Sequence, residues 1–581
     1  MNTNQTRPRG HAWAAALVGV VAGAAGLGIG ELVAGLLNPK SSPIVAVGDA
    51  AVDQTPAALK DWAIRTFGTS DKAVLLSGIV IVLTLIAAGL GLLARRRVGF
   101  GTTGLMLFGV VGAAAAITRP DSGSLDALPS LIGAGAGAWT LSILARRAWP
   151  LVEPGYEDLH THRPPKTTPQ PSTTPEASAA PASSTAPASS TAPASSATPQ
   201  PSTKASVAGD VVHRPAVMRS GAQLHEFDRR GLLTGVAAGV VIAGVGGLAG
   251  RGLAGRLSVD TERARIALPK PVKPAKALPA GVDLRLKDLP PFTTPNRDFY
   301  RIDTALVIPQ VDPKTWKLTI HGMVDRPVEL TFADLLKRPL MEADVTLTCV
   351  SNDVGGPYIG NARWLGAHLA DVLREAGIRS GADMLLSTSA DGWTCGTPVD
   401  VVMDGRDAML AVAMNGEALP VSHGFPVRQV VPGLYGYVSA TKWVTDIKVT
   451  RFDQDEAYWT PRGWAPKGPI KTGSRIDVPR GGSTISAGRT AIAGVAWAQH
   501  RGIDAVEVRV DKGPWRQARL AEVPGPDTWR QWAVDDWQAT PGRHTIEVRA
   551  TDATGQTQTA DYAPPTPDGS SGWHSILVVV K

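Results

Sequence analysis

Apolar and polar positions follow three regimes along this chain. In the first, five uncharged apolar runs stand out: Ala12 to Gly30, Ala73 to Ala94, Val98 to Thr118, Ala127 to Ala145 and Gly231 to Gly250. Each is near the ~20 residues a helix needs to cross a bilayer, so the pattern predicts transmembrane spans. The second run, with Val74-Leu-Leu-Ser-Gly-Ile-Val-Ile-Val-Leu, is bulkier than a soluble helix face requires. The fourth and fifth are rich in Gly and Ala, which lets helices approach closely. A second regime, from His160 to Lys204, has no periodicity at all: Pro181-Ala-Ser-Ser-Thr-Ala186 recurs as Pro187-Ala-Ser-Ser-Thr-Ala192. Such composition cannot bury a core and predicts a disordered tether over 151–227. In the third regime, Trp316 to Gly322 and Asp344 to Cys349 alternate as strands. Thr331 caps a short helix holding Leu335 and Leu336, which Pro339 stops. Leu365, Leu369, Val372 and Leu373 fall on one helical face closed by Gly377. Beyond Pro466 short strands recur evenly, among them Thr490 to Trp497, Val506 to Val510 and His544 to Arg549. Turn signals stand at Asp511-Lys-Gly513 and Asp552-Ala-Thr-Gly555, a β-sandwich pattern of immunoglobulin-like type.

The expected organisation is therefore a four-helix membrane region over 1–150, the tether, and a fifth span over 228–256. A connector over 257–284, an α+β domain over 285–460 and a β-sandwich over 461–581 complete it. Charge sets an orientation. Arg7 and Arg9, Arg95-Arg96-Arg97 and Arg146-Arg147 all fall on one side of the spans, which the positive-inside rule makes the cytoplasm. The loop from Asn38 to Lys72 then lies outside, and so does everything after Arg251. Asp228-Arg229-Arg230 precedes the fifth run and has two readings, a twin-arginine export signal or one more positive anchor. With 58 Lys+Arg against 51 Asp+Glu the net charge is +7, and no basic run is interleaved with aromatics, so nucleic acid is not an expected partner.

Cysteine is scarce, with two in the chain. Cys349 ends the alternating Val345, Leu347, Cys349 face and runs into Gly355-Gly356, where the backbone can approach something bulky. A thiol so placed is a candidate metal ligand, although a lone strand cysteine is more often a small core residue. Cys395 offers a disulfide as the rival use of the same thiol, and a bridged thiol cannot ligate.

The chain beyond Cys349 carries a resemblance. Asn352, Ala362-Arg363-Trp364, Met414-Asn415-Gly416, His423-Gly-Phe-Pro-Val-Arg428, Val431-Pro-Gly433 and Lys442-Trp443 occur in the order in which the sulfite oxidase family of molybdopterin enzymes carries them. The likeness runs from about 285 to 450, and the segment after it resembles that family's molybdenum-cofactor dimerisation domain. The resemblance implies a sulfite-oxidase-type molybdopterin domain and a molybdenum-molybdopterin cofactor, with Cys349 as the catalytic metal ligand. A soft thiolate suits molybdenum beside the sulfurs of the pterin. It further implies cofactor contacts from Asn296, Arg297, Phe299, Tyr300, Ser351, Asn352, Asp391, His423, Arg428, Ser439 and Lys442. The guanidinium fork of Arg428 suits a phosphate.

Departures from the family bear on substrate. Asn352-Asp353-Val354 stands where the family has Asn-Arg-Arg, Ile302-Asp303-Thr304 where it has Arg-Asn-His, and Val412 where it has a Tyr. Losing cations removes charge-assisted bonds to a small dianion, so sulfite itself is a doubtful substrate. No Cys-x-x-Cys-His occurs and no haem is expected. The implied activity is two-electron oxygen-atom transfer on a small substrate outside the cytoplasmic membrane. A quinone or cytochrome would be the electron carrier and a homodimer the assembly. The rival is a non-catalytic, membrane-anchored binding or scaffold protein that keeps the fold.

Overall fold

The computed structural model describes residues 11–56, 59, 62, 66, 71–119, 122–148, 229–256 and 258–581. The tether, together with Arg7 and Arg9, lies outside the described residues. The first helices are α1 (Ala12–Leu37), α2 (Pro43–Gln54), α3 (Asp71–Ala94), α4 (Val98–Ile117), α5 (Leu128–Ala148) and α6 (Arg229–Arg256). Among the described residues five helices, all of these but α2, are long and apolar enough to cross a membrane.

Small residues hold this bundle together. A Cβ on Gly19 of α1 would collide with the Ala87 carbonyl of α3, and one on Gly35 with the Gly250 carbonyl of α6, so the backbones touch. The stretch expected as a plain loop between the first two spans contains α2, which starts where Pro43 occupies the first turn and Ser42 Oγ accepts from Val45 N. Asn38 Nδ2 donates to Asp126 Oδ1 at 3.1 Å and ties this turn to the start of α5. The same end of the bundle meets the rest of the protein: Lys40 Nζ donates to Ala390 O at 3.2 Å, and Lys72 to Ala305 O at 2.6 Å. Arg95-Arg96-Arg97 follow the far end of α3, about 36 Å away along a helix of that length.

After α6 a short helix α7 (Asp260–Ala264) begins the connector, which is pinned rather than loose. Val272 N donates to Leu340 O and Glu342 N to Lys273 O, each at 2.8 Å. The α+β region holds two sheets and a helix α8 (Phe332–Lys337). In the first sheet, β1 (Lys317–Gly322) lies between β2 (Val328–Thr331) and β10 (Val444–Thr450), which continues to β5 (Met384–Ser389) and β6 (Thr394–Pro398). In the second, β3 (Leu340–Thr348), β4 (Ile359–His368), β7 (Met409–Met414) and β8 (Glu417–Ala418) run in order, with β9 (Arg428–Val430) on β7. Thr331 caps α8 as expected, in a reciprocal capping box with Asp334.

Two local expectations are corrected. Leu365 is not on a helix. It sits on β4, opposite Glu342 and Ala413, and the helix α9 (Leu369–Ala376) starts after it, closed by Gly377 at φ 72°. Pairing on both edges of β4 outweighs the helical spacing of its leucines. Cys349 stands one residue past β3, although Cys349 N still donates to Tyr358 O at 3.0 Å.

The last region is a pair of sheets. One holds β11 (Gly473–Val478), β13 (Gly488–Trp497), β17 (Arg530–Ala539) and β16 (Arg519–Leu520). The other holds β12 (Thr484–Ile485), β19 (His574–Val580), β18 (Gly542–Asp552), β14 (Ile503–Val510) and β15 (Arg516–Gln517). Ile492 and Trp532 from one sheet meet Val506 and Val548 from the other in a single core. This sandwich braces the cysteine strand. Gln499 Nε2 donates to Thr346 O and Thr348 Oγ1, each at 3.0 Å, and Trp529 N donates to Thr346 Oγ1 at 2.8 Å.

Candidate active site

The end of β3 opens into a cavity of about 780 Å3, and Cys349 is in its wall. Burial pushes the thiol up, against backbone and side-chain bonds from Ser351 and the charge of Lys442 that lower it. Both cysteines are free, so no bridge competes for Cys349. Phe299 stacks on Tyr300 with ring centroids 5.3 Å apart and meets the His423 ring edge-on at 5.6 Å. Phe299 covers Gly360, where a Cβ would fall 2.8 Å from its ring.

Arg428, Lys442 and Arg301 converge on the cavity, which Lys72 and Arg297 also line. Arg428, 5% exposed, lies over the Trp364 ring at 4.9 Å and donates Nη1 to His423 O at 3.2 Å, with no carboxylate partner among the described residues. Burial drags its pKa down to about 10. Gly424, at φ 110°, makes the close turn possible: a Cβ there would fall 2.9 Å from Arg428 Cβ and 3.1 Å from Lys442 Cα. Lys442 Nζ donates to Asp303 Oδ2 at 2.6 Å and is lowered to about 8, by burial first. The third cation is Arg301, 3.3 Å from Asp303. His423 Nε2 is 3.2 Å from Asn296 O, and burial together with the charges of Arg428 and Lys442 lowers it to about 4, which leaves the imidazole neutral. Burial opposes ionisation of Asp303, but Lys442, Lys72 and Arg301 outweigh it and hold the carboxyl well below its usual range.

Of the residues expected at the cofactor, Asn296, Arg297, Phe299, Tyr300, Ser351, Asp391, His423, Arg428 and Lys442 line this cavity with Cys349. Asn352 and Ser439 do not. Asn352 Oδ1 turns to accept from Tyr358 N at 2.8 Å, and Ser439 Oγ donates to the Tyr435 carbonyl at 3.0 Å. Two other arginines of the region are engaged elsewhere: Arg363 pairs with Asp344 at 2.8 Å and Arg462 lies over the Tyr458 ring at 3.7 Å. Arg301, Asp303 and Ser389 were missed by the sequence reading. Arg301 adjoins the Phe299-Tyr300 pair, and that adjacency is the signal that could have found it.

The residues fit an anionic, sulfur-bearing cofactor. Arg428 Nε and Ser389 Oγ are buried with no partner among the described residues, and polar groups are rarely buried so without a ligand to meet them. Positive charge exceeds the two carboxylates of the cavity, Asp303 and Asp391, as a phosphate would require.

Similarity to other proteins agrees with this geometry. The profile of the oxidoreductase molybdopterin binding domain matches residues 305–459. Mitochondrial sulfite oxidase of Rattus norvegicus is 31% identical over 290 residues, 42% of this chain and 52% of that one. The uncharacterized oxidoreductase YuiH of Bacillus subtilis (strain 168) is 32% identical over 180 residues, 31% of this chain and 87% of that protein. The sulfane dehydrogenase SoxCD from Paracoccus pantotrophus is 26% identical, with a TM-score of 0.44 over 49% of this chain and 81% of that one. This chain spans about half the length of the sulfite oxidases it matches. It belongs to the sulfite oxidase family of molybdopterin-dependent oxidoreductases.

Proposed function

We propose that this oxidoreductase is anchored in the cytoplasmic membrane by its five apolar helices and carries out two-electron oxygen-atom transfer on a small substrate at the extracytoplasmic face. The observation that carries the site assignment is the unpartnered Arg428 Nε buried beside a free thiol in one cavity. Arg428, His423 and Lys442 would hold the pterin and its phosphate, and Cys349 would ligate molybdenum. When bound, the cofactor supplies a metal that exchanges an oxygen atom and two electrons with the substrate.

The protein's own groups set the conditions for that exchange. Neutral His423 keeps an acceptor or donor nitrogen at the pterin without adding charge, and the Phe299-Tyr300 stack limits water on that side. Asp303 already neutralises part of the cation cluster, which supports sulfite being a poor substrate. The orientation is supported by the arginine clusters: those that follow α3 and end α5 lie away from the end of the bundle that meets the catalytic domain. The twin-arginine pair at the start of α6, the immunoglobulin-like character of the sandwich and a homodimer formed through it belong to the same reading.

Metal analysis tests it most directly. The purified full chain should carry molybdenum and a pterin in near-equal amounts, and oxidise sulfite slowly with an artificial acceptor. A chain free of molybdenum after expression in a cofactor-producing host would overturn the assignment. A reporter after Lys581 should read outside and one in the tether inside.

A further inference from the structure

The cavity at Cys349 does not end within the catalytic domain. Its far wall is built by Val52 and Thr55 at the end of α2 and by Val74 and Leu75 in the first turns of α3, across from Ile302 and Leu306. Two contacts hold the walls together. Lys72 pairs with Asp303 and donates to Ala305 O, and Gly48 of α2 sits so close that a Cβ there would fall 2.6 Å from Leu306 Cδ1. The bundle therefore covers part of the site's mouth. From this opening α3 runs away with Ile81 at 60% and Leu85 at 66% exposure, a surface that suits lipid chains.

Such an entrance selects by chemistry. A small polar oxo compound gains nothing from apolar walls contributed by membrane-length helices, whereas a ligand dissolved in the bilayer gains from every apolar contact. A folded carrier protein arriving on this side would meet α2 and α3 rather than the cofactor. In the same outer part, the Thr304 hydroxyl lines the cavity and can donate to or accept from a ring oxygen. Quinone carbonyls accept hydrogen bonds and quinol hydroxyls donate them.

We propose that the outer part of this cavity, between the α2–α3 end of the membrane bundle and the Ile302–Leu306 segment, binds a lipid-soluble quinone or quinol that exchanges electrons directly with the molybdenum centre. This rests on the function proposed above. When substrate is oxidised, quinone takes two electrons from the centre and two protons, forming two O–H bonds. When substrate is reduced, the quinol O–H bonds break, two protons leave and two electrons pass to the centre.

The test uses the full chain in lipid nanodiscs and an azido-benzoquinone with a decyl tail, and needs no turnover. Photolabel should concentrate on peptides covering 71–79 and 299–306, and unlabelled decylubiquinone should compete it away. Decylbenzene, which has the tail but no quinone ring, should not. Leu75→Trp fills the passage from α3 and Thr55→Trp fills it from α2. Each should cut labelling about tenfold or more while molybdenum content stays at the wild-type level. Labelling spread evenly along α3, or unchanged in the Trp variants that retain molybdenum, overturns the proposal. Equal competition by decylbenzene overturns it as well, because the site would then hold a lipid chain. Molybdenum is measured on the same samples, so a metal-free chain that still labels refutes the cofactor assignment separately.

Discussion

The turn after β3 holds a half-buried thiol and the strand β6 a fully buried one, and although desolvation raises the pKa of both, the two surroundings differ in kind. Around Cys395 the hydrogen-bonding groups are neutral: Sγ is 3.6 Å from Thr397 Oγ1, the Ser387 and Thr441 hydroxyls join the same buried group, and the Ala440 backbone bonds the thiol. Around Cys349 are a cavity, a lysine, a buried arginine without a carboxylate and an orphaned serine hydroxyl. Freedom from disulfide is therefore a poor guide to which thiol reacts. Local charge and an open position beside the sulfur are better ones.

Substitution at the two thiols gives the widest separation. Cys349→Ser should lose all measurable turnover and most of its molybdenum while keeping the wild-type melting temperature within a few degrees, since serine preserves shape but is a hard ligand. Cys395→Ser should retain activity and metal, losing roughly 1 kcal/mol of stability. Equal activity in the two variants would erase the distinction. A smaller effect is expected at the charge around Cys349. Asp303→Asn frees Lys442 and Arg301 from their shared carboxylate and should tighten inhibition by sulfite or sulfate about tenfold, read from inhibition constants, with little change for a neutral oxo substrate. Val354→Arg, which restores a cation where the family carries one, should do less, because Val354 faces a different and smaller recess with Asn352 and Lys471.

A separate effect concerns acid. His423 takes its proton near 4 in the folded protein and near 6.5 when unfolded. Between those values the unfolded chain binds the extra proton, so this residue's contribution is complete above about 6.5 and drains away as pH falls toward 4. The loss in cofactor-free protein is of the order of 3 kcal/mol at most. Melting curves of wild type against His423→Gln should converge on lowering pH. Parallel curves would show that His423 titrates alike folded and unfolded and that the cations nearby do not press on it.

Sequence alone reached the periodic parts well. The apolar runs became helices whose starts fall within two residues of those expected, although the first runs on from Gly30 to Leu37 and the fifth from Gly250 to Arg256, and the glycine at 377 and the threonine at 331 closed and opened the helices they flank. Leu365 was misread because one residue's spacing fits both a helix and a strand, and only pairing with Glu342 and Ala413 decides. In the site, aromatic and cationic residues in the matched runs were legible, but Asp303 was noted only as a missing asparagine. Its part became visible when Lys72, some 231 positions earlier in the chain, proved to be its partner. Such a contact has no local signature. The same holds for Asn352 and Ser439, whose side chains are taken by nearby backbone groups that spacing does not reveal.

The hydrogen bonds from Gln499 and Trp529 to the strand leading into Cys349 also set a clock. Those partners lie 153 and 183 positions after Thr346. At ordinary rates of synthesis the ribosome needs roughly ten to thirty seconds to add that much chain. Through that interval the cysteine strand exists without its brace, and its thiol is nearest to stray metals and oxidants. The cofactor can be seated in a finished pocket only after the chain has been made through Trp529, so loading follows synthesis of the sandwich strands that brace the site.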